Sequence, residues 1–143
     1  MDIMYHPGVD VVGVGSRLPF RSNAFDEIKL YGVFEHFGYF ESLQCLAEFL
    51  RCLQSGGLLW LDVPNFDWFV EAYRQLPSGR TLSWVMHAIF GGQDDPGQFH
   101  KWGWTESTLP IVLQEAGFVD VTLFSRSTRD PEPNHLGYTA RKP

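Results

Sequence analysis

The amino-acid sequence predicts an α/β fold in which helices cover a mostly parallel β-sheet. The first indication is an amphipathic helix pattern over residues 41–53, followed by Gly56-Gly57 and by the apolar run Leu58 to Val63. Helix, glycine turn and buried strand in this order form the repeating unit of a parallel sheet. The second indication is a pair of strand patterns near the C-terminus, Val119 to Phe124 and Leu136 to Arg141. Their connection contains no helix pattern, so this pair is predicted to be an antiparallel hairpin.

Two further strands are predicted in the first part of the chain. The β-branched run Val9 to Val14 predicts a buried strand, and the alternating residues Glu27 to Tyr31 predict a second one. In the helix that follows, apolar residues recur every three or four positions and form one apolar face. Gly56 can adopt the left-handed conformation preferred at a helix end. The apolar run after it is predicted to be a central strand covered on both faces.

Three helices are predicted in the second half of the chain. The first covers Trp68 to Gln75 with Asp67 as its N-cap, and the second covers Leu82 to Phe90 with Thr81 as its N-cap. Residues 93–104 are predicted to form a loop.

The third helix is predicted over about Glu106 to Ala116. Pro110 is expected in its first turns, where a missing amide costs little, and Gly117 is expected to end it. A Pro-rich polar loop, residues 125–134, connects the last two strands.

Composition excludes several classes of protein. The 143 residues are predicted to form a single domain, 1–143. A net charge of −6 argues against a nucleic-acid partner, because phosphate binding needs a basic face. No apolar run is long enough to cross a membrane, and no signal peptide is visible. Cys45 and Cys52 are two helical turns apart, which is too far for a disulfide, so we expect reduced cysteines and a cytoplasmic protein.

Three short segments around the second predicted strand resemble one enzyme family. They are residues 15–20 (Gly-Ser-Arg-Leu-Pro-Phe), 24–26 (Ala-Phe-Asp) and 33–36 (Val-Phe-Glu-His). In this order they resemble the class I S-adenosylmethionine-dependent methyltransferases of the type 11-like, small-molecule subgroup, and the resemblance extends over nearly the whole chain. It implies a Rossmann-like three-layer sandwich, S-adenosylmethionine as the cofactor and a small molecule as the methyl acceptor.

The chain departs from this family pattern on its N-terminal side. Gly13-Val14-Gly15 is only a Gly-x-Gly, and the family's glycine-rich turn with its strand and helix is not found. We therefore expect an N-terminally truncated domain that corresponds to the C-terminal two-thirds of the family fold. The Val9 to Val14 strand then either closes against the Glu27 to Tyr31 strand or leaves an open sheet edge. An open edge predicts self-association into a homo-oligomer.

The resemblance also implies a set of site residues. The residues implied to bind the cofactor are Asp2, Gly15, Ser16, Tyr31, Gly32 and Glu35. The implied catalytic residues are His36 and His100, and the implied substrate contacts are Trp102 and Trp104. Asp2 stands where the family has an acid for the ribose hydroxyls, whereas Val14 stands where the family has an Asp for the adenine amino group. A valine side chain cannot accept a hydrogen bond, which leaves the backbone of Gly15 and Ser16 as the alternative acceptor, and we expect weakened cofactor binding.

Structural roles compete with these functional ones. Glu35 could cap the segment after it while His36 packs at the strand end, and the two tryptophans could simply bury the loop under the last helix. No metal site is predicted. The loop carboxylates of residues 94–95 are expected to be solvated, and nothing fixes their spacing to His87 or His100.

Three functions follow from these observations. The first is S-adenosylmethionine-dependent methyl transfer to an unidentified small molecule, impaired in this chain because the glycine-rich cofactor loop is absent. The second is a non-enzymatic methyltransferase-like module for binding or interaction. The third, another Rossmann-type nucleotide enzyme, is disfavoured by the Leu-Pro-Phe loop and the Glu-His pair at the strand end.

Overall fold

The computed structural model describes residues 1–75, 82–126 and 133–143. Its strands are β1 (Phe25–Tyr31), β2 (Leu53–Pro64), β3 (Val119–Ser125) and β4 (His135–Arg141). They form one sheet in the order β1-β2-β4-β3. β2 runs parallel to β1, and β4 runs antiparallel to both β2 and β3. The α/β class and the C-terminal hairpin are confirmed, and the described sheet contains more antiparallel pairing than expected.

The helices and the sheet share one hydrophobic core. The helices are α1 (Tyr39–Cys52), α2 (Phe66–Gln75), α3 (Leu82–Phe90) and α4 (Leu109–Glu115), with short 3-10 helices at Phe34–His36 and Pro96–Gln98. Buried side chains of α1, β2, α4 and β4 form the core. None of the described helices combines the length and the apolar character that a bilayer span requires.

β2 is the central strand that the apolar run predicts. Leu59, Leu61 and Val63 are at most 1% exposed. The N-terminal end of the strand is irregular, because the register with β1 shifts next to Gly56, which has a φ of +78°. The helix before it already ends at Cys52, so this glycine bends the beginning of β2 and does not cap the helix.

Both cysteines are free and buried, as predicted. They lie on the face of α1 that packs into the core. Burial raises the pKa of the Cys45 thiol to about 12. This thiol therefore stays protonated and unreactive at neutral pH.

The prediction of a buried strand over Val9 to Val14 is wrong. The described structure has only isolated bridges here, between Asp2 and Val12 and between Val14 and Arg17. Val12 and Val14 are 51% and 49% exposed. β-branched residues favour a strand where a neighbouring strand and a packed face receive them, and no described strand lies beside this run. β1 therefore stays at the edge of the described sheet, which is the open-edge alternative.

The start of α2 also differs from the prediction. The helix begins at Phe66, and the backbone amide of Trp68 donates a hydrogen bond to Asn65 Oδ1 at 3.4 Å. Asn65, directly after β2, is therefore the N-cap in place of Asp67. Asn and Asp are both good N-cap residues, and Asn65 takes the N-cap position because it comes first after the strand. The other predicted cap, Thr81, lies outside the described residues.

α4 begins at Leu109, three residues later than predicted. The Thr108 amide donates to Thr105 Oγ1 at 3.0 Å, and the Thr105 amide donates to Thr108 Oγ1 at 3.3 Å. This reciprocal pair of bonds makes a separate turn in front of the helix. Pro110 lies in the first helical turn and Gly117 follows the helix end, as predicted.

The Leu-Pro-Phe loop is tied to α1 by one ion pair. The Leu18 amide donates to Glu48 Oε2 at 2.8 Å. Arg51 donates to the carbonyl oxygen of Phe20 at 2.8 Å and to that of Leu18 at 3.2 Å. Arg51 also donates to both carboxylate oxygens of Glu48 at 2.8 Å. The bond from Arg51 is the main reason that the pKa of Glu48 falls to about 2.

We expect Glu48→Gln to destabilise the protein at neutral pH and to have less effect in acid. The pKa of Glu48 is about 2 in the folded chain against a reference value of 4.5. Its ionised form therefore stabilises the fold above pH 4.5, and this contribution is lost as the pH falls towards 2. Urea unfolding at neutral pH should show a loss of about 1–2 kcal/mol, allowing for solvent screening at this partly exposed site.

The matched control is Glu115→Gln, which replaces an exposed carboxylate of α4. It is expected to change the free energy of unfolding by less than about 0.5 kcal/mol. An equal loss from Glu48→Gln at neutral pH and near pH 3 would contradict the role of the charged pair.

Candidate active site

The candidate active site begins where β1 ends. Gly32, with a φ of +64°, turns the chain out of the strand, and its amide donates to the carbonyl oxygen of Asp62 at 2.9 Å. Phe34 is fully buried and anchors the 3-10 helix that follows. Glu35 and His36 are consequently presented beyond the carboxyl end of β1, where open α/β sheets bind ligands.

Residues 99–102 are held against this short helix by backbone hydrogen bonds. The amides of Lys101 and Trp102 donate to the carbonyl oxygen of Glu35 at 2.9 Å and 3.3 Å. His36 Nδ1 donates to the carbonyl oxygen of Phe99 at 3.0 Å. These bonds bring together the two predicted catalytic histidines, which are far apart in the sequence.

The rings of His36 and His100 make direct contact. Their centroids lie 4.9 Å apart with the ring planes at 76°. His100 Nδ1 donates to the carbonyl oxygen of Ala88 at 2.9 Å, and the His100 amide donates to that of Phe90 at 3.0 Å. Burial, with a smaller contribution from His36, lowers the pKa of His100 below its usual value. The His100 ring is therefore neutral at pH 7.

A small cavity lies next to these residues. Glu35, Pro64, Phe69, His100 and Trp102 are among the residues that line it. Its volume is about 10 Å³, which is room for about one water molecule. The carboxyl ends of β1 and β2 thus meet at a concave site, but the enclosed space is far smaller than a cofactor.

The two predicted substrate contacts differ in their surroundings. Trp104 is 1% exposed and stacks on Phe34 with ring centroids 5.0 Å apart. Trp102 is 42% exposed and packs against Tyr39, with the ring centroids 4.9 Å apart. Trp102 is therefore the one of the two that can offer a ring face to a substrate, whereas Trp104 is a core residue. Substrate contact remains a prediction for both.

The N-terminal residues implied to bind the cofactor lie apart from the cavity. Asp2 is engaged locally, since its carboxylate accepts hydrogen bonds from the Met4 amide at 3.0 Å and from His6 at 3.1 Å. The bond from Met4 is the main reason that the pKa of Asp2 is lowered. Neither Asp2 nor Ser16 is among the described residues that line the cavity.

Gly15 has a packing role in addition to the predicted one. A β-carbon at this position would lie 2.9 Å from Phe37 Cζ and 3.0 Å from Cys45 Sγ. The glycine therefore lets the loop approach α1 closely. Tyr31, at the end of β1, is half exposed. The cofactor contacts implied for Gly15, Ser16, Tyr31 and Gly32 stay predictions.

Sequence reasoning missed one buried polar pair at the same end of the sheet. Asp62 in β2 is 2% exposed, and its Oδ1 lies 3.0 Å from His135 Nδ1. Asp62 pairs in register with Tyr31, so it lies at the mouth of the β1-β2 pair. The signal was present, because Asp62 is a lone carboxylate inside an otherwise apolar run. Its partner could not be read from the sequence.

Comparisons with known proteins agree with this fold. A family model described as a methyltransferase domain matches residues 5–61. No curated protein sequence matches the chain. Among solved structures, an S-adenosylmethionine-dependent methyltransferase from Thermotoga maritima superposes with a TM-score of 0.63 at 16% identity, covering 93% of this chain and 63% of that one. One from Methanosarcina mazei superposes with a TM-score of 0.60 at 21% identity, covering 92% of this chain and 66% of that one.

Human N-acetylserotonin methyltransferase, solved in complex with S-adenosylmethionine, is a third similar structure. It superposes with a TM-score of 0.60 at 17% identity, covering 92% of this chain and 33% of that one. The chain thus spans less than two thirds of the length of each of these three structures. The comparisons confirm the Rossmann-like fold and the resemblance to class I S-adenosylmethionine-dependent methyltransferases. The cofactor that this resemblance implies is S-adenosylmethionine.

We expect the two tryptophans of this site to respond differently to truncation. Trp104→Ala removes a buried, stacked ring and should cost about 3–5 kcal/mol of unfolding free energy. Trp102→Ala removes a ring that is 42% exposed and should cost less than about 1 kcal/mol. Urea unfolding followed by circular dichroism measures both values, and Trp102→Ala serves as the matched control. Similar losses would show that the difference in burial has no energetic consequence.

Proposed function

We propose that this domain transfers a methyl group from S-adenosylmethionine to a small-molecule acceptor, and that the 143-residue chain by itself binds the cofactor weakly. The observation that supports methyl transfer is the position of Glu35 and His36 beyond the carboxyl end of β1, within a fold shared with methyltransferases. The family match over residues 5–61 agrees with it.

The chemistry asks the protein mainly for positioning. When bound, the cofactor supplies an electrophilic methyl group on a sulfonium, and alignment of a nucleophile can contribute roughly 7–11 kcal/mol. His100 is the residue best placed to receive a proton from an acceptor. Its Nδ1 donates to a backbone carbonyl, so in the neutral ring Nε2 has the free lone pair. His36 has the same arrangement through Phe99.

The described residues fit the cofactor only in part, which supports the proposed impairment. The cavity beside Glu35 has a volume of about 10 Å³. The Asp2 carboxylate already accepts two local hydrogen bonds. The Val14 side chain offers no acceptor for an adenine amino group, and residues 1–143 contain no glycine-rich turn of the family kind.

Three finer features of this function are also proposals. The exposed ring of Trp102 beside Tyr39 favours an acceptor with an apolar or cationic group. The net charge of −6 disfavours a nucleic-acid substrate. The two buried free cysteines favour a reducing, cytoplasmic location.

A non-enzymatic interaction module is the second candidate, and the edge of the sheet favours it. Among the described strands, β1 pairs with β2 alone. Its other side presents backbone groups that a strand of a second copy could pair with. Light scattering at tens of micromolar should then show a dimer or larger species, and a monodisperse monomer would count against this candidate.

Calorimetry with S-adenosylhomocysteine tests the proposed impairment. We expect no binding tighter than the millimolar range, because Glu35 alone of the six implied cofactor residues is among the described residues that line the cavity, and the Val14 side chain lacks the acceptor for adenine. Adenosine is the matched control ligand, since it shares the nucleoside and lacks the amino-acid part. A micromolar constant for S-adenosylhomocysteine would show that the pocket is intact. In-frame upstream DNA that encodes a strand followed by a Gly-x-Gly turn would support methyl transfer by a longer protein.

A further inference from the structure

We propose that Glu35, His36 and His100 form a binding site for a divalent transition-metal ion, with Zn²⁺ as the best fit. One potential ligand atom from each of the three residues lies within 4.8 Å of the other two. The sequence predicts no metal site at the cysteine pair or among the loop carboxylates, His87 and His100. The contact of His36 with His100 was not visible in the sequence.

The ligand set suits Zn²⁺. Two imidazoles and one carboxylate are the ligands of many zinc sites with an open position, at metal–ligand distances of about 2.0–2.2 Å. In a tetrahedral arrangement such ligands lie roughly 3.3 Å apart. The ligand atoms of Glu35, His36 and His100 lie within 4.8 Å of one another. To bind the ion, each pair has to approach by at most roughly 1.5 Å. Rotation of the His36 and His100 side chains can supply a movement of this size.

The hydrogen bonds of both histidines prepare them as ligands. A backbone carbonyl oxygen can only accept, so Nδ1 of His36 donates to Phe99 and Nδ1 of His100 donates to Ala88. In each neutral ring this assigns the proton to Nδ1 and the lone pair to Nε2. Metal-binding histidines characteristically donate their second nitrogen to a carbonyl or carboxylate in this way. Both rings thus already have the tautomer that metal binding through Nε2 requires.

The surroundings also favour a cation. Glu35 is 4% exposed and places its carboxyl oxygens beside two rings, while His36 and His100 are only partly buried, which leaves a path for an ion. Backbone bonds from Lys101 and Trp102 to the carbonyl oxygen of Glu35 hold the two ligand-bearing segments together. Three protein ligands leave a tetrahedral ion one further position, for water or for an oxygen or nitrogen atom of a small molecule.

Titration of the metal-stripped 143-residue chain with zinc chloride tests this proposal, with no methyl donor present. Isothermal calorimetry should show one ion per chain with a micromolar or tighter constant. His36→Gln, His100→Gln and Glu35→Gln should each weaken binding by more than about 100-fold, since even the loss of a supporting group costs 10–100-fold. His87→Gln is the matched control, because His87 lies on α3 outside the cluster. It should bind as the unaltered chain does.

Cobalt(II) supplies a second readout that identifies the ligands. Intense visible d–d bands without a thiolate charge-transfer band would indicate nitrogen and oxygen ligands in a tetrahedral site. A thiolate band would place the metal on Cys45 or Cys52 and overturn the proposal. Absence of zinc binding to the unaltered chain would also overturn it. So would unchanged affinity in His36→Gln and His100→Gln variants whose circular dichroism shows a native fold. Because these measurements need no cofactor, failure of the proposed methyl transfer leaves their outcome unaffected.

Discussion

The burial of β2 between two hydrogen-bonded neighbours is the constraint on which the rest of the structure depends. β1 lies on one side of it and β4 on the other. The position of the carboxyl end of β2 is therefore fixed. Asn65 follows this end directly. Its backbone amide donates to the carbonyl oxygen of Asn134 at 2.8 Å, and its side-chain amide donates to the carbonyl oxygen of Pro133 at 3.0 Å. The amide of Phe66 then donates to the carbonyl oxygen of Trp104 at 3.0 Å. The end of β1, the end of β2, Trp104 and the residues before β4 thus meet at the carboxyl end of β2.

Backbone hydrogen bonds hold these segments together, so the side chains of the candidate site remain available for chemistry. The carbonyl oxygen of Glu35 accepts two amide hydrogens from the segment that contains His100. The imidazoles of His36 and His100 each use Nδ1 to bond a carbonyl. Structural roles and chemical roles therefore fall on different atoms of the same residues. A histidine can hold the fold through one nitrogen and still offer the other to a proton, a substrate or a metal ion.

The sequence predicts the parts of the fold that local burial decides. The apolar run of β2 and the apolar face of α1 require no knowledge of partners, because a strand covered on both faces and an amphipathic helix have characteristic periods. Val9 to Val14 has an equally good strand pattern and forms no strand, since a strand also needs a neighbouring strand, and none of the described strands lies beside this run. Asn65 and Asp67 compete for one cap position, and only the end of β2 decides between them. The contact of His36 with His100 is likewise a product of topology.

Metal binding and proton transfer cannot occur at the same histidine nitrogen of the candidate site at the same time. The lone pair on Nε2 of His100 can receive a proton from a methyl acceptor or coordinate an ion, and it cannot do both at once. His36 and His100 belong to both arrangements, so a bound ion removes both predicted catalytic histidines together. A chain that holds zinc tightly at these residues would therefore lack a histidine base, and any methyl transfer would have to rely on positioning or on a ligand held by the metal. The occupant of this site thus decides whether a histidine base is available, which the fold does not decide, since many functions share the same fold.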